Sequence, residues 1–317
     1  DLPFTDRQEN TNTIRNNSLG ERKDLWRMTF LRSPLLVWVV STAVLCACIC
    51  MVEAWGPVTH QGFGRILVST NSSNLPPTLH LDSFVLGNSA PDAIKHLNAR
   101  LHTFEYATYQ LRLASTLPGN TSAFDPVSFS LGYGCHLAED YVGHHNKGYL
   151  NPAHDHESEA AVDTYYHHRV PSITGQKFPW LSFSPEGLSF VSEATEFFAQ
   201  QVKDPVYSFN VSSITASNAD YQHTVDLELL AIAVNFVYKV EMEQWDTCPT
   251  SSFEETEKHL LLSQDWSLQV CQQWIQMGKD PGSLSPGSLD ATIKQHVQDL
   301  YSSNGDTSCV AQKPLWP

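Results

Sequence analysis

The chain has 317 residues, 41% of them apolar and 17% charged, enough apolar side chains for one large domain or two small ones and too many for a disordered protein. Its 34 acidic and 19 basic residues give a formal charge of -15, which excludes a generic basic nucleic-acid coat, because neutralising phosphates takes clustered Lys and Arg. The high count of 14 histidines is the first pointer towards chemistry.

Residues 1–27 are polar and are set aside as an upstream or non-structural segment. Met28 opens what reads as a secretory signal over residues 28–54. Arg32 lies in its short basic start, Leu35 to Val52 is apolar, and Val52-Glu53-Ala54 fits a small-residue cleavage site. Cleavage near Ala54 is expected, with residues 55–317 as the mature domain, in the extracellular space or an endomembrane lumen. An uncleaved anchor is the other reading, since about 18 apolar residues can span a bilayer. Cys46, Cys48 and Cys50 fall in the signal; Cys135, Cys248, Cys271 and Cys309 remain, an even number suited to two disulfides whose pairing the spacing leaves open. Sequons begin at Asn71, Asn120 and Asn210.

The mature region reads as helices. Gly62 to Ser69 continues an amphipathic start after His60, and Leu97 to Leu113 has apolar residues near helical spacing, with His102 on it. Asp125-Pro126 is a helix entry, Asp at the N-cap and Pro at the first helical position, opening a helix to about His145. Glu157 to His168, Glu186 to Val202, Val225 to Gln244, Leu260 to Met277 and Leu289 to Tyr301 follow. Arg169 to Gly187 reads as the longest irregular connection, and Asp280 to Gly287 repeats PGSL. No alternating strand pattern is found, so one all-α, multi-helix domain is expected.

Seven histidines fall between His136 and His168. His136, Asp140 and His144 stand at i, i+4 and i+8; a helix turns about 100° per residue, so steps of four keep them on one face. Imidazole nitrogens and a carboxylate on one stripe suit zinc, although a solvated polar face is the plainer reading. Asp155, Glu159 and Asp163 make a second stripe, and two facing helices carrying such stripes can hold metals between them, as carboxylate-rich bundles do. Its plainer reading is a solvated acidic face. Upstream, Trp55 to His60, Asp92 after Pro91, and His102 add candidate donors.

Trp55-x4-His60, Pro91-Asp92 and Gly132-x3-His136-x3-Asp140-x3-His144, taken in order, resemble the zinc-dependent phospholipase C superfamily. It includes bacterial phosphatidylcholine-hydrolysing phospholipases, the catalytic domain of glycosylphosphatidylinositol phospholipase D, and single-strand-specific zinc nucleases of fungi and plants. The three-residue gap from Asp140 to His144 is similar to the phospholipase C/D branch; the bacterial phospholipases and the nucleases have five residues there, which would land on Asn146. The resemblance implies a helical domain enclosing up to three zinc ions. The α-amino group and carbonyl of Trp55 would bind one ion with His60, and Asp140 would bridge it to a second. Asp92, His102 and His136 would complete that pair. His144 would bind a third ion with His156 and Glu159, with His154 and Asp155 left as other candidates. Zinc-activated water would attack phosphorus, with Asp92 as the catalytic carboxylate.

Three functions follow from this reading. The leading one is a secreted zinc phosphodiesterase hydrolysing phospholipid head-group esters, of phospholipase C or D type. The second is a nuclease of single-stranded nucleic acid, with Tyr133, Tyr141 or Tyr149 as a base-stacking platform or simply as core. The third is a metal-binding interaction module without turnover. For peripheral membrane contact, Phe178 to Phe183 offers aromatics that either dip into a lipid interface or tuck onto the core.

Overall fold

The computed structural model describes residues 56–70, 75–117, 123–145, 155–175, 181–233 and 253–303. These residues are helical and contain no strand. In chain order the helices are α1 (Pro57–Thr70), α2 (Leu81–Gly87), α3 (Ala90–Lys95), α4 (Phe104–Thr116), α5 (Pro126–His145), α6 (Asp155–Thr174), α7 (Pro185–Val202), α8 (Val211–Ala233), α9 (Phe253–Met277) and α10 (Pro286–Ser303). Short 3-10 turns occupy Ala99–Leu101 and Pro205–Tyr207. The all-α expectation holds, and the described helices pack in one domain.

Helix α5 is the hub, packed against α2, α4 and α9 and touching α1, α3 and α10. Its start is the expected one: the Asp125 carboxylate accepts from the Ser128 N–H at 3.0 Å and from the Ser128 hydroxyl, and Pro126 takes the first helical position. Because neighbours surround it, it buries Phe129, Tyr133, Cys135 and Val142 together with the polar Ser130, His136 and Glu139. Such a helix has no single apolar stripe, which is how a core helix reads.

Two glycines set the crossing of α2 over α5. A Cβ on Gly87 would meet the Phe129 carbonyl oxygen at 2.0 Å, and one on Gly132 would meet that of Phe84 at 2.0 Å. Only hydrogen at both positions lets the backbones come this close, and the crossing brings Asn88, just after α2, alongside His136 one turn beyond Gly132.

The C-terminal helices complete the core. Trp274 on α9 is fully buried and donates its indole N–H to the Leu131 carbonyl at 2.8 Å. Cys135 on α5 and Cys271 on α9 form a disulfide. Leu289, Ile293 and Val297 make the buried stripe of α10. Cys248 and Cys309, the signal segment and the sequons at Asn71 and Asn120 lie outside the described residues; Asn210 is exposed.

Several boundaries differ from the sequence reading. Leu97 to Leu113 is not one helix: Asn98 caps a 3-10 turn, His102 breaks the chain at φ -90° and ψ 53°, and Thr103 caps α4. His102 therefore sits at a bend. The connection after Arg169 is shorter than expected, because α6 runs through Pro171 to Thr174 and α7 begins at Pro185, with Ser184 accepting from the Gly187 N–H.

Candidate metal centre

Five of the expected donors converge where α1, α3, the bend before α4, and α5 meet. His60 comes from the first turns of α1, Asp92 from α3, His102 from the bend, and His136 and Asp140 from successive turns of α5. His60, Asp92, His136 and Asp140 are buried, and His102 is half-buried. Asp140 faces both sides of the group. Its Oδ1 lies 3.2 Å from His60 Nε2, and its Oδ2 lies 3.2 Å from His102 Nε2 and 3.3 Å from His136 Nε2. Asp92 Oδ1 lies 3.3 Å from His136 Nε2, 3.6 Å from His102 Nε2 and 3.3 Å from Lys95 Nζ.

These atoms form two donor groups, His60 with Asp92 and His136, and His102 with His136 and Asp140. The fit to a cation rests on what they lack. His60 Nε2, Asp92 Oδ2 and Asp140 Oδ1 are buried without a hydrogen-bond partner, and each such atom costs about 1–3 kcal/mol. The Nε2 atoms of His102 and His136 meet at 3.0 Å, where two neutral lone pairs would repel. A cation among them satisfies all five, and imidazole with carboxylate suits zinc.

The outer edges of two imidazoles are pinned. His136 Nδ1 donates to the Asn88 carbonyl at 3.0 Å, so its Nε2 is the edge turned inward. His60 Nδ1 lies 2.7 Å from Glu139 Oε2, and the Asn88 amide donates to Glu139 Oε1 at 3.0 Å and to the His60 carbonyl at 2.7 Å.

Charge regulation follows the same geometry. Burial alone would push Asp92 and Asp140 up, but the His136 charge and hydrogen bonds from the surrounding imidazoles hold both well below the usual carboxylate range. Burial, with His136 adding to it, would push His60 down; the adjoining carboxylates of Asp140 and Glu139 outweigh both and raise it to about 9. His102 and His136 are raised in the same way against their burial. Without metal, the imidazoles hold protons where a dication would otherwise balance the carboxylates.

Residues 59–201 match the family model of zinc dependent phospholipase C. This segment is a domain of that family. The match covers His60, Asp92, His102, His136 and Asp140, and it supports a hydrolase of phospholipase C type that uses zinc and acts on phospholipid. Neither the curated proteins nor the solved structures yielded a match to the chain. Helices α8, α9 and α10 lie beyond the matched segment, yet α9 and α10 pack directly on α5.

Other candidates fall elsewhere. Trp55 and His154 lie outside the described residues, as do the side chains of His144, Asp155, His156 and Glu159. Asp163, read as the last member of a metal-facing stripe, instead caps the start of α1. Its carboxylate accepts from the Val58 and Thr59 N–H groups at 2.8 Å each and from the Thr59 hydroxyl at 2.5 Å. Helix α6 thereby fixes the turn that carries His60. Tyr133 is buried, with its hydroxyl bonded to the Leu101 carbonyl at 2.7 Å, so it cannot stack a base. Tyr141 bonds Asp290 of α10, and Tyr149 lies outside the described residues. Of the aromatic segment, Phe183 packs on Phe129 and the backbone of Leu181 bonds the Gln61 side chain at both N–H and C=O, which favours a tucked loop there; Phe178 and Trp180 lie outside the described residues.

Glu139 and Asn88 were not singled out as site residues by the sequence. Their partners are distant in the chain, 79 residues separating Glu139 from His60, and no local spacing marks such a pair.

Proposed function

We propose that this chain is a secreted zinc-dependent phosphodiesterase that hydrolyses phospholipid head-group esters. The observation that carries the reading is the position of Asp140, one oxygen beside His60 and the other beside His102 and His136, as a carboxylate bridging two ions would stand. His60, Asp92, His102, His136 and Asp140 would hold two zincs. Trp55, freed by cleavage near Ala54, and a third group of His144, His156 and Glu159 extend the reading to up to three.

Zinc bound there supplies Lewis-acid activation of water and of the phosphoryl oxygens. The chain's own residues do the rest. Asp92 stays ionised at the cluster, so its carboxylate would steer the water that attacks phosphorus. Lys95 keeps a positive charge beside Asp92, favourable to a phosphodiester at the rim. The half-buried His102 is the most exposed of the five and marks the side from which substrate reaches the cluster.

The test is a side-by-side assay of the purified secreted form on phosphatidylcholine micelles and single-stranded DNA, with and without a zinc chelator. Chelator-sensitive release from lipid, by a protein whose first residue is Trp55, is the expected result. Cleavage of DNA alone would move the chain to the nuclease reading, and chelator-resistant lipid hydrolysis would refute zinc dependence.

A further inference from the structure

We propose that Glu139 is a positioning residue for the metal centre: with Asn88 it holds the His60 imidazole so that Nε2 faces the cluster, and it adds a third buried carboxylate to the charge that balances the metals. The inference rests on reading the cluster as a zinc centre.

Glu139 is 1% exposed. A carboxylate in such a place is costly unless it is paired and hydrogen-bonded, and an apolar residue would serve a helix enclosed by core on most sides. Both of its oxygens are engaged, Oε2 with His60 Nδ1 at 2.7 Å and Oε1 with the Asn88 amide at 3.0 Å. An ionised carboxylate only accepts hydrogen bonds, so His60 Nδ1 carries the hydrogen and Nε2 is left as the electron-pair donor. A carboxylate behind a metal-binding imidazole fixes the ring's orientation and makes it a more basic ligand. Asn88 serves both rings, since its carbonyl accepts from His136 Nδ1 while its amide orients Glu139 and grips the His60 carbonyl.

The charges point the same way. Asp92 and Asp140 bring two negative charges to two donor groups, and Lys95 offsets part of that at 3.3 Å from Asp92. Two dipositive ions would leave an excess of positive charge in a buried site, which a third carboxylate reduces. Glu139 can do this from behind the ring, because it belongs to neither donor group and its Oε2 meets the outer nitrogen of His60.

The experiment compares zinc affinity of wild type and Glu139→Gln by competition with a chromophoric chelator, with helix content followed by circular dichroism. The expected result is a loss of about ten- to hundredfold in affinity at unchanged helix content. In a His60→Ala background the same substitution is expected to add little, since Glu139 acts through that ring. Wild type that binds no zinc would overturn the zinc reading itself. Zinc-binding wild type with an equally tight Glu139→Gln variant would overturn only the role of Glu139, as would an undiminished effect in the His60→Ala background. If Glu139→Gln does not fold, Glu139→Asp takes its place, with the carboxylate one methylene further back; unchanged affinity there, or loss of fold in both variants, assigns Glu139 to fold support alone.

Discussion

Asp140 and His60 show how few atoms determine the chemistry of the centre. The two oxygens of Asp140 face different imidazoles, and the two nitrogens of His60 face different carboxylates, Glu139 outside and Asp140 inside. The raised proton affinity of His60, to about 9, has a measurable consequence. In zinc-free protein its charged pairing stabilises the fold fully below the ordinary histidine value and is lost as pH rises through about 9; His102 and His136, also raised, act with the same sign. Zinc needs the unprotonated rings, so it competes with protons over that window. The rise in melting temperature on adding zinc is therefore expected to be larger at pH 8.5 than at pH 6, and an equal or larger rise at pH 6 would contradict the assignment. Asp92 and Asp140, held low, stay ionised throughout and contribute only to loss of stability in acid. At this scale helical spacing singled out His136 and Asp140, whereas His60, Asp92 and His102 entered as ligands only through the resemblance to the zinc-dependent phospholipase C superfamily. The sequence did not reveal Glu139, whose partner is on another helix, and it placed Asp163 among metal donors when that carboxylate caps α1.

Helix α5 was legible from end to end, because Asp125-Pro126 is a strong start signal and His136 and Asp140 keep helical register. Helices α2 and α3 were not: seven and six residues are too few to establish a period, and their ends depend on contacts with α5. The bend at His102 was hidden because apolar spacing runs on across it while Asn98 and Thr103 cap separate turns. The pairing of Cys135 with Cys271 joins α5 to a helix 136 residues away, and no spacing rule gives it. Replacing both cysteines with alanine should remove about 4–5 kcal/mol of stability by loop-closure entropy, read by urea unfolding. A change below about 1 kcal/mol would show that packing of Trp274 and its neighbours holds α9 on α5 without the bridge.

Across the whole molecule, the formal charge of -15 and a phosphodiester substrate are compatible only if positive charge is concentrated where the substrate binds. Zinc bound in the cluster would provide that concentration, with Lys95 beside it. The family match ends at residue 201, but the domain does not, since α9 and α10 close the far side of α5 and α8 packs on α3 and α7. No described helix is long and apolar enough to cross a membrane. The most direct measurement is reconstitution: strip the protein with a chelator, return zinc in steps, and record phosphatidylcholine hydrolysis against zinc bound per chain. The account predicts negligible hydrolysis without zinc and recovery as occupancy reaches two or more per chain. Full activity in the stripped protein, or none on phospholipid after complete reloading, would contradict it.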